Sequence, residues 1–314
     1  MRPDALDSFV QPLSLTGSST SYFSSPSSTL DPALFDTVHT GKLKGSVRRA
    51  LVETILGHLE EQYSEPEKWI HAWIAGSGVS YQWAAQRSPG DLDVLLGVDY
   101  IQFRMANQNL AQMSDVEIAK DITEGFREEV EPEMSMWNGF EVTFYVNPDS
   151  TDIRNIQPYA AYDLLADQWT VEPDPHQQAA HNYEYDLAAD RDRRRAEVAL
   201  TRYSQGYNAL HNAQNDGARR NAETWLNLAV DAGSELFKEI HNGRREAFSR
   251  SGRGYADWGN YRWQAGKANG VVHAMRALHD WKRDAEKDDQ MRTYGMVLPS
   301  VDELVRRSIR RSAT

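Results

Sequence analysis

The sequence predicts a mixed α/β (α+β) domain built on a small mixed sheet, followed by an α-helical domain. Three apolar runs of strand character fall between residues 69 and 146, and helical patterns stand beside them. After Pro173 and Pro175 the strand-like alternation stops, and three long helical repeats fill the rest of the chain. The 314 residues suffice for two ordinary domains with cores of their own. The division reads as a Ser-rich arm over 1–40, an α/β domain over 41–175 and a helical domain over 176–314.

Each element has its own warrant. Residues 8–28 hold nine serines and two prolines, too little apolar material for a core, which predicts an arm or a disordered lead. Leu51, Ile55, Leu56 and Leu59 recur at helical spacing and predict a helix over 46–63. The strands are 69–75, 91–98 and 140–146, with a helix over 114–130 before the third. Residues 155–173 read as a link to the helical domain, with Tyr159 and Asp163 placed either beside a ligand site or in packing. The helices of the second domain are predicted over 186–213, 217–241 and 260–286, the last two joined by a Gly- and Arg-rich connection over 242–260.

Composition excludes several classes. There is no cysteine, hence no disulfide framework and no thiolate zinc site, and no histidine pair has metal-ligand spacing. No stretch approaches the roughly 20 apolar residues of a membrane span, and no apolar core follows the N-terminal arginine. The expectation is a cytoplasmic protein with no membrane partner. The net charge of −12 argues against a generic polyanion binder, yet it is unevenly spread. Residues 1–175 hold 11 Lys and Arg against 27 Asp and Glu, whereas 176–314 hold 23 against 19. That division suits metal-binding acid facing phosphate-binding base across a cleft, or two solvated surfaces.

Strand alternation puts Asp91 and Asp93 on one face and sends Leu92, Val94 and Leu96 into the core. Two carboxylates that close repel each other unless a cation neutralises them, and hard oxygen ligands select Mg²⁺ or Mn²⁺. In the third strand Phe140, Val142, Phe144 and Val146 form the apolar face, which leaves Glu141, Thr143 and Tyr145 on the other. Glu141 is thus the candidate third ligand; Asp99, Asp149 and Asp152 are nearby alternatives without so clean an apolar alternation. Three carboxylates on adjacent strands can hold two metal ions roughly 3.5–4 Å apart, the geometry of phosphoryl or nucleotidyl transfer. Upstream, Gly76 and Ser77 end a strand and offer backbone N–H groups and a hydroxyl to a phosphate, with Ser80 expected to cap a following helix, YQWAAQ.

The order Ile74-Ala75-Gly76-Ser77, thirteen residues, Asp91-Leu92-Asp93 and later Phe140-Glu141-Val142 resembles the DNA polymerase β-like nucleotidyltransferase superfamily. SPGDLDVL is similar to the SxxDLDL segment of many members, and the whole chain resembles uncharacterised phage-encoded nucleotidyltransferases. The resemblance implies an NTP substrate, Mg²⁺ (or Mn²⁺) held by Asp91, Asp93 and Glu141, a triphosphate on Gly76 and Ser77, and a helical domain that closes over the nucleotide. Two departures stand out: GSGVSYQW lacks the Gly-Thr or basic residue that several subfamilies carry after Gly-Ser, and the third acid is a glutamate.

In the helical domain Arg253, Tyr255, Trp258, Tyr261, Arg262, Trp263 and Lys267 interleave rings with positive charge. Arg262 and Lys267 are the candidate triphosphate contacts; the alternative is a loop whose aromatics anchor it to the bundle. Arg193, Arg194 and Arg195 read as exposed charges. The expected reaction moves NMP from an NTP to a hydroxyl acceptor and releases pyrophosphate, with the site in a cleft between the two domains. The acceptor is open among an RNA 3′ end, a protein hydroxyl, a small molecule and a second nucleotide. The rival expectation is a catalytically inactive module that binds nucleotide or a partner, and a third is a metal-dependent phosphohydrolase.

Overall fold

The structure, a computed structural model, describes residues 13–18, 20–36, 41–83, 90–134, 137–147, 151–177 and 182–299. Asp149 lies outside them, as do the second half of the predicted YQWAAQ helix and the first twelve residues of the arm. Two compact units emerge. An α/β unit comprises residues 21–177 and 248–255, and a helical unit comprises residues 13–18 and Thr20, 182–247 and 256–298.

The α/β unit opens with a two-stranded antiparallel ribbon, β1 (Phe35–Asp36) and β2 (Lys42–Leu43). Helix α1 (Gly45–Gln62) follows; Leu51, Ile55 and Leu59 recur every four residues and are fully buried against the sheet. The sheet holds β3 (Ile70–Ala75), β4 (Gly90–Val98), β5 (Phe140–Val146), β6 (Ala161–Asp163) and β7 (Gln168–Val171) in the order β5-β4-β3-β6-β7. Strands β4 and β5 run parallel, and every other neighbouring pair is antiparallel. A crossover joins the parallel pair, as such pairing requires. It contains α2 (Tyr100–Ala106), capped by Asp99, and α3 (Asp115–Gly125), opened by a Ser114–Glu117 capping box. Helix α3 passes through a π turn at Phe126–Val130 into α4 (Glu131–Met134).

One face of the sheet carries the main core, where Leu92 and Val94 meet Val142, Phe144, Ile74 and the apolar stripe of α1. The opposite face carries Asp91, Asp93, Glu141 and Thr143 at one end and a small second core of Trp73, Ala75, Leu95, Ile153, Ile156 and Ala161 beside them.

Residues 155–173, expected to be a link, instead extend the sheet by β6 and β7. Asp163 turns the chain between them by accepting from the amides of Leu165 and Ala166, at 2.9 and 2.8 Å. The ring of Tyr162 packs edge-on against Trp169, and Tyr159 is buried edge-on against Tyr255. Packing and turn geometry therefore account for Tyr159 and Asp163.

The helical unit consists of α5 (Tyr183–His211), α6 (Asp216–Ala247), α7 (Trp258–Ala268) and α8 (Val271–Tyr294). The single helix expected over 260–286 is two helices, broken at Gly270, whose φ of 83° no helix interior has. A Cβ at Gly270 would stand 2.6–2.8 Å from the backbone of Leu15 and Thr16, so the break also makes room for the arm. Helix α6 runs six residues beyond the expected end, and residues 248–255 of the connection belong to the α/β unit.

Of the two expectations for the lead, an arm or a disordered stretch, its described part is an anchored arm. Leu13 and Leu15 pack on the helical core, Ser18 N–H donates to the Lys267 carbonyl at 3.1 Å, and Thr20 Oγ1 donates to Gln264 Oε1 at 2.7 Å. Further on, Tyr22, Leu30, Leu34 and Phe35 are buried in the α/β unit. A serine-rich stretch supplies no core of its own, but these spaced apolar residues suffice to anchor it to cores that others build.

Candidate active site

The site begins where β3 ends. Gly76 adopts φ 90° and ψ −164°, a region essentially reserved for glycine. A three-residue 3₁₀ turn, Ser77–Val79, follows and is closed by Ser80, whose N–H and Oγ both bond the Ser77 carbonyl, at 3.1 and 3.0 Å. The α-helix expected after this turn does not start within the described residues: Ser80 Oγ accepts from Gln82 N–H at 3.1 Å in a tight turn. The N–H of Gly76 is spent on the Ala160 carbonyl at 3.3 Å. The amides at the start of the turn, from Ser77 onward, are the ones whose partners a 3₁₀ turn does not supply.

Beside this turn runs β4. Its register pairs Ala75 with Asp93 on β3 and pairs Asp91 with Glu141 and Asp93 with Thr143 on β5. Both aspartates are half-buried, between the fully buried Leu92 and Val94. The turn and the strand touch closely. A Cβ on Gly76 would lie 3.0 Å from Asp93 Oδ2, and one on Gly78 would lie 2.5 Å from the Asp91 carbonyl oxygen. Glycine at both places is what lets the aspartates stand there.

The other oxygen of Asp93, Oδ1, accepts from Thr143 Oγ1 at 3.1 Å. Thr143 fixes the carboxylate's orientation, a role missed by a reading of acids and glycines alone, although its alternation with Glu141 put it on the right face. Glu141 is exposed on that face, level with Asp91. Among the described residues no three acidic or histidine side chains converge as a metal-ligand group, so Asp91, Asp93 and Glu141 share a face and a register without closing on one point.

Two alternative third acids have other employment. Asp99 caps α2 by accepting from the amides of Ile101 and Gln102, at 3.1 and 3.0 Å. Asp152 is bound by Arg154 at 2.6 Å, and that hydrogen bond holds its carboxyl below the usual carboxylate range.

The basic candidates lie in the helical unit. Arg262 donates from Nε and Nη2 to Asp192, at 2.5 and 2.8 Å, and from Nη2 to Glu239 at 3.2 Å. Arg195 completes this network by a two-pronged bond to Glu239, 2.8 Å at each oxygen, and is not the simple exposed charge its sequence context suggests. Hydrogen bonding by Arg195 first, then Arg262, pushes the Glu239 carboxyl down to about 2. The Arg262 side chain is only 15% exposed and joins three helices of its own unit, α5, α6 and α7. That employment is structural. Lys267, half-buried in the last turn of α7, lends its carbonyl to the arm. Tyr261 is held by Asp186, and Trp258 and Tyr261 both pack on Tyr185, so these aromatics anchor helices to one another.

Among the described residues no helix is long and apolar enough to cross a membrane. The chain matches no protein-family model, no curated protein and no solved structure.

Proposed function

We propose that the chain is a metal-dependent nucleotidyltransferase that moves NMP from an NTP to a hydroxyl acceptor and releases pyrophosphate, working in the cytoplasm. One observation carries the reading: Asp91 and Asp93 stand on one face of β4, against a glycine turn that their own atoms leave no room to fill, with Glu141 level with them on β5.

The donor set fits Mg²⁺ or Mn²⁺. Mg²⁺ is usually held by one or two carboxylates, with water and substrate phosphates completing its shell, so an aspartate pair suffices without a three-acid cage. Asp91 and Asp93 would hold it, Thr143 would orient Asp93, and Glu141 is the register-matched third acid. When bound, the ion supplies charge neutralisation for the triphosphate and the departing pyrophosphate.

In this reading the Ser77–Val79 turn takes the β- and γ-phosphates on its backbone amides and the Ser77 hydroxyl. The acceptor's hydroxyl oxygen bonds to the α-phosphorus as the bond to the bridging oxygen breaks. Pyrophosphate leaves with that electron pair, and the acceptor's proton passes to Asp93 or Glu141, or to water. The acidic balance of the α/β part weighs against long nucleic acid as acceptor, and leaves RNA ends, protein hydroxyls, small molecules and nucleotides.

The test is transfer of label from each α-labelled NTP, with Mg²⁺ or Mn²⁺, into RNA, protein and metabolite fractions. Label that moves with the wild type and not with Asp91→Asn, Asp93→Asn supports the reading, and the labelled fraction identifies the acceptor. No transfer from any NTP by a folded protein overturns it. One observation favours the alternative, a catalytically inactive nucleotide- or partner-binding module: the three acids do not converge. Metal-dependent NTP affinity that disappears in Asp93→Asn speaks for the transferase, and affinity indifferent to metal and to Asp93 speaks for the module.

A further inference from the structure

A second concentration of charge lies in the helical unit and takes no part in the reading above. The guanidinium of Arg244, near the end of α6, lies 4.9 Å from the ring centroid of Trp263 on α7. That of Arg276, on α8, lies 5.6 Å from Phe237 and 5.7 Å from Trp263. His241 stacks on Phe237 with centroids 5.5 Å apart and the planes 14° from parallel. Arg245 is exposed in the same last turn of α6.

What this cluster lacks is a counter-charge. Among the described residues none of Arg244, Arg245 and Arg276 forms an ion pair, in a chain whose net charge is −12. Of the carboxylates on these helices, Glu239 is engaged by Arg195 and Arg262, Asp280 by Arg283 and Glu235 by Lys238, and Glu246, next to Arg245 in sequence, is exposed. The floor of the cluster has a matching deficiency. Trp263 is 3% exposed, and its buried indole N–H has no hydrogen-bond partner. A buried donor without an acceptor costs on the order of 1–3 kcal/mol, which makes such groups rare in folded proteins.

Ordinary structural roles explain part of this. Cations in the last turn of a helix suit its dipole, and arginines lie favourably over aromatic rings. Neither accounts for three guanidinium groups without an ion pair on neighbouring helices, or for the orphan indole.

We propose that Arg244, Arg245 and Arg276, with the indole N–H of Trp263, form a binding site for a phosphate group of a phosphate-bearing ligand. Guanidinium forks match phosphate oxygens in geometry as well as charge. The His241 imidazole reports the same field. Burial first, then Arg245, Arg244, Arg276 and His279, holds its pKa below the ordinary value. Two sources share the required chemistry, the polyphosphate of a nucleotide and the phosphodiester of a short single strand. The inference stands on the helical unit alone and does not depend on the transferase reading.

The test uses the full chain and two probes, inorganic tripolyphosphate and a six-nucleotide single-stranded RNA without a terminal phosphate. Binding is followed by the Trp263 indole N–H resonance, assigned with Trp263→Phe. Saturable movement of that resonance by either probe is expected, and the responding probe identifies the source. Arg244→Gln with Arg276→Gln should weaken binding tenfold or more, on the scale of a lost charged hydrogen bond. Arg244→Lys with Arg276→Lys should recover part of it. Should the double glutamine variant unfold, Arg245→Gln carries the test, because Arg245 is exposed and should weaken binding severalfold without loss of structure. A resonance that neither probe moves, or binding unchanged in the folded variants, overturns the proposal.

Discussion

Gly76 and Asp93 are fitted to each other: the carboxylate oxygen Oδ2 lies 3.0 Å from the place where any other residue at position 76 would carry its Cβ. The backbone of Gly76 also sits at φ 90°, where a side chain is strained whatever the space around it. Gly76→Ala is therefore expected to lose about 1–3 kcal/mol of stability from backbone strain alone. It should also displace the Asp93 carboxylate and weaken Mn²⁺ binding. Urea unfolding and Mn²⁺ titration of the same variant check both effects. A variant as stable as the wild type, with unchanged Mn²⁺ affinity, would show that the turn does not constrain the aspartate.

This relationship marks how far the sequence was legible. The three longest strands and α1 were readable because Leu51, Ile55 and Leu59, or Phe140, Val142 and Phe144, repeat at one period over several residues. Strands β6 and β7 were not, because three or four residues around Asp163 are too few to establish alternation. The aspartate pair and Glu141 were legible from spacing, and so was their common face. The contact between Gly78 and the Asp91 carbonyl, and the engagement of Arg262 by Asp192, were not, since each joins segments that sequence separation says nothing about.

Thr143 is expected to act through Asp93. Thr143→Val removes one hydrogen bond in a half-buried place and should cost about 0.5–1.5 kcal/mol of stability. Its effect on Mn²⁺ affinity should be larger, about 10- to 100-fold, because a ligand's partner sets the ligand's orientation. Thr143→Ser, which keeps the hydroxyl, should restore affinity. A valine variant that loses stability and keeps its metal affinity would reduce Thr143 to a packing role.

Stability should fall on mild acidification. Burial is the leading cause that lowers the pKa of His58, His241 and His279; arginines add to it at His241, while Glu129 and Glu61 oppose it at His58. Between the lowered folded values and the unfolded value of about 6.5, the unfolded chain binds more protons. Stability therefore rises with pH through that window and levels off above about 7. Glu239, held at about 2, loses its contribution only as pH falls from the ordinary carboxylate range toward that value, well below the histidine window. Urea midpoints measured from pH 5 to 8 check the slope, and a flat profile would contradict it. His58→Gln and His279→Gln should each flatten it in part.

Arg262 decides between two roles for the basic residues of α7. Its side chain is 15% exposed and that of Asp192 10%, so loss of the arginine leaves a poorly solvated carboxylate with only its longer ion pair to Arg195, at 3.6 Å. Removing one member of such a pair costs about 3–5 kcal/mol, far more than an exposed pair. Arg262→Met is thus expected to lower the urea midpoint of the helical unit strongly, and Arg262→Met with Asp192→Asn to recover much of the loss, since the double variant leaves no unpaired charge at Asp192 while Arg195 still holds Glu239. A triphosphate clamp behaves differently: its loss weakens NTP binding in a protein that stays folded, and neutralising Asp192 restores nothing. Measuring unfolding and NTP affinity on both variants separates the two, because a recovery of stability by the second substitution is specific to the ion pair, and a loss of affinity with an unchanged midpoint is specific to the clamp.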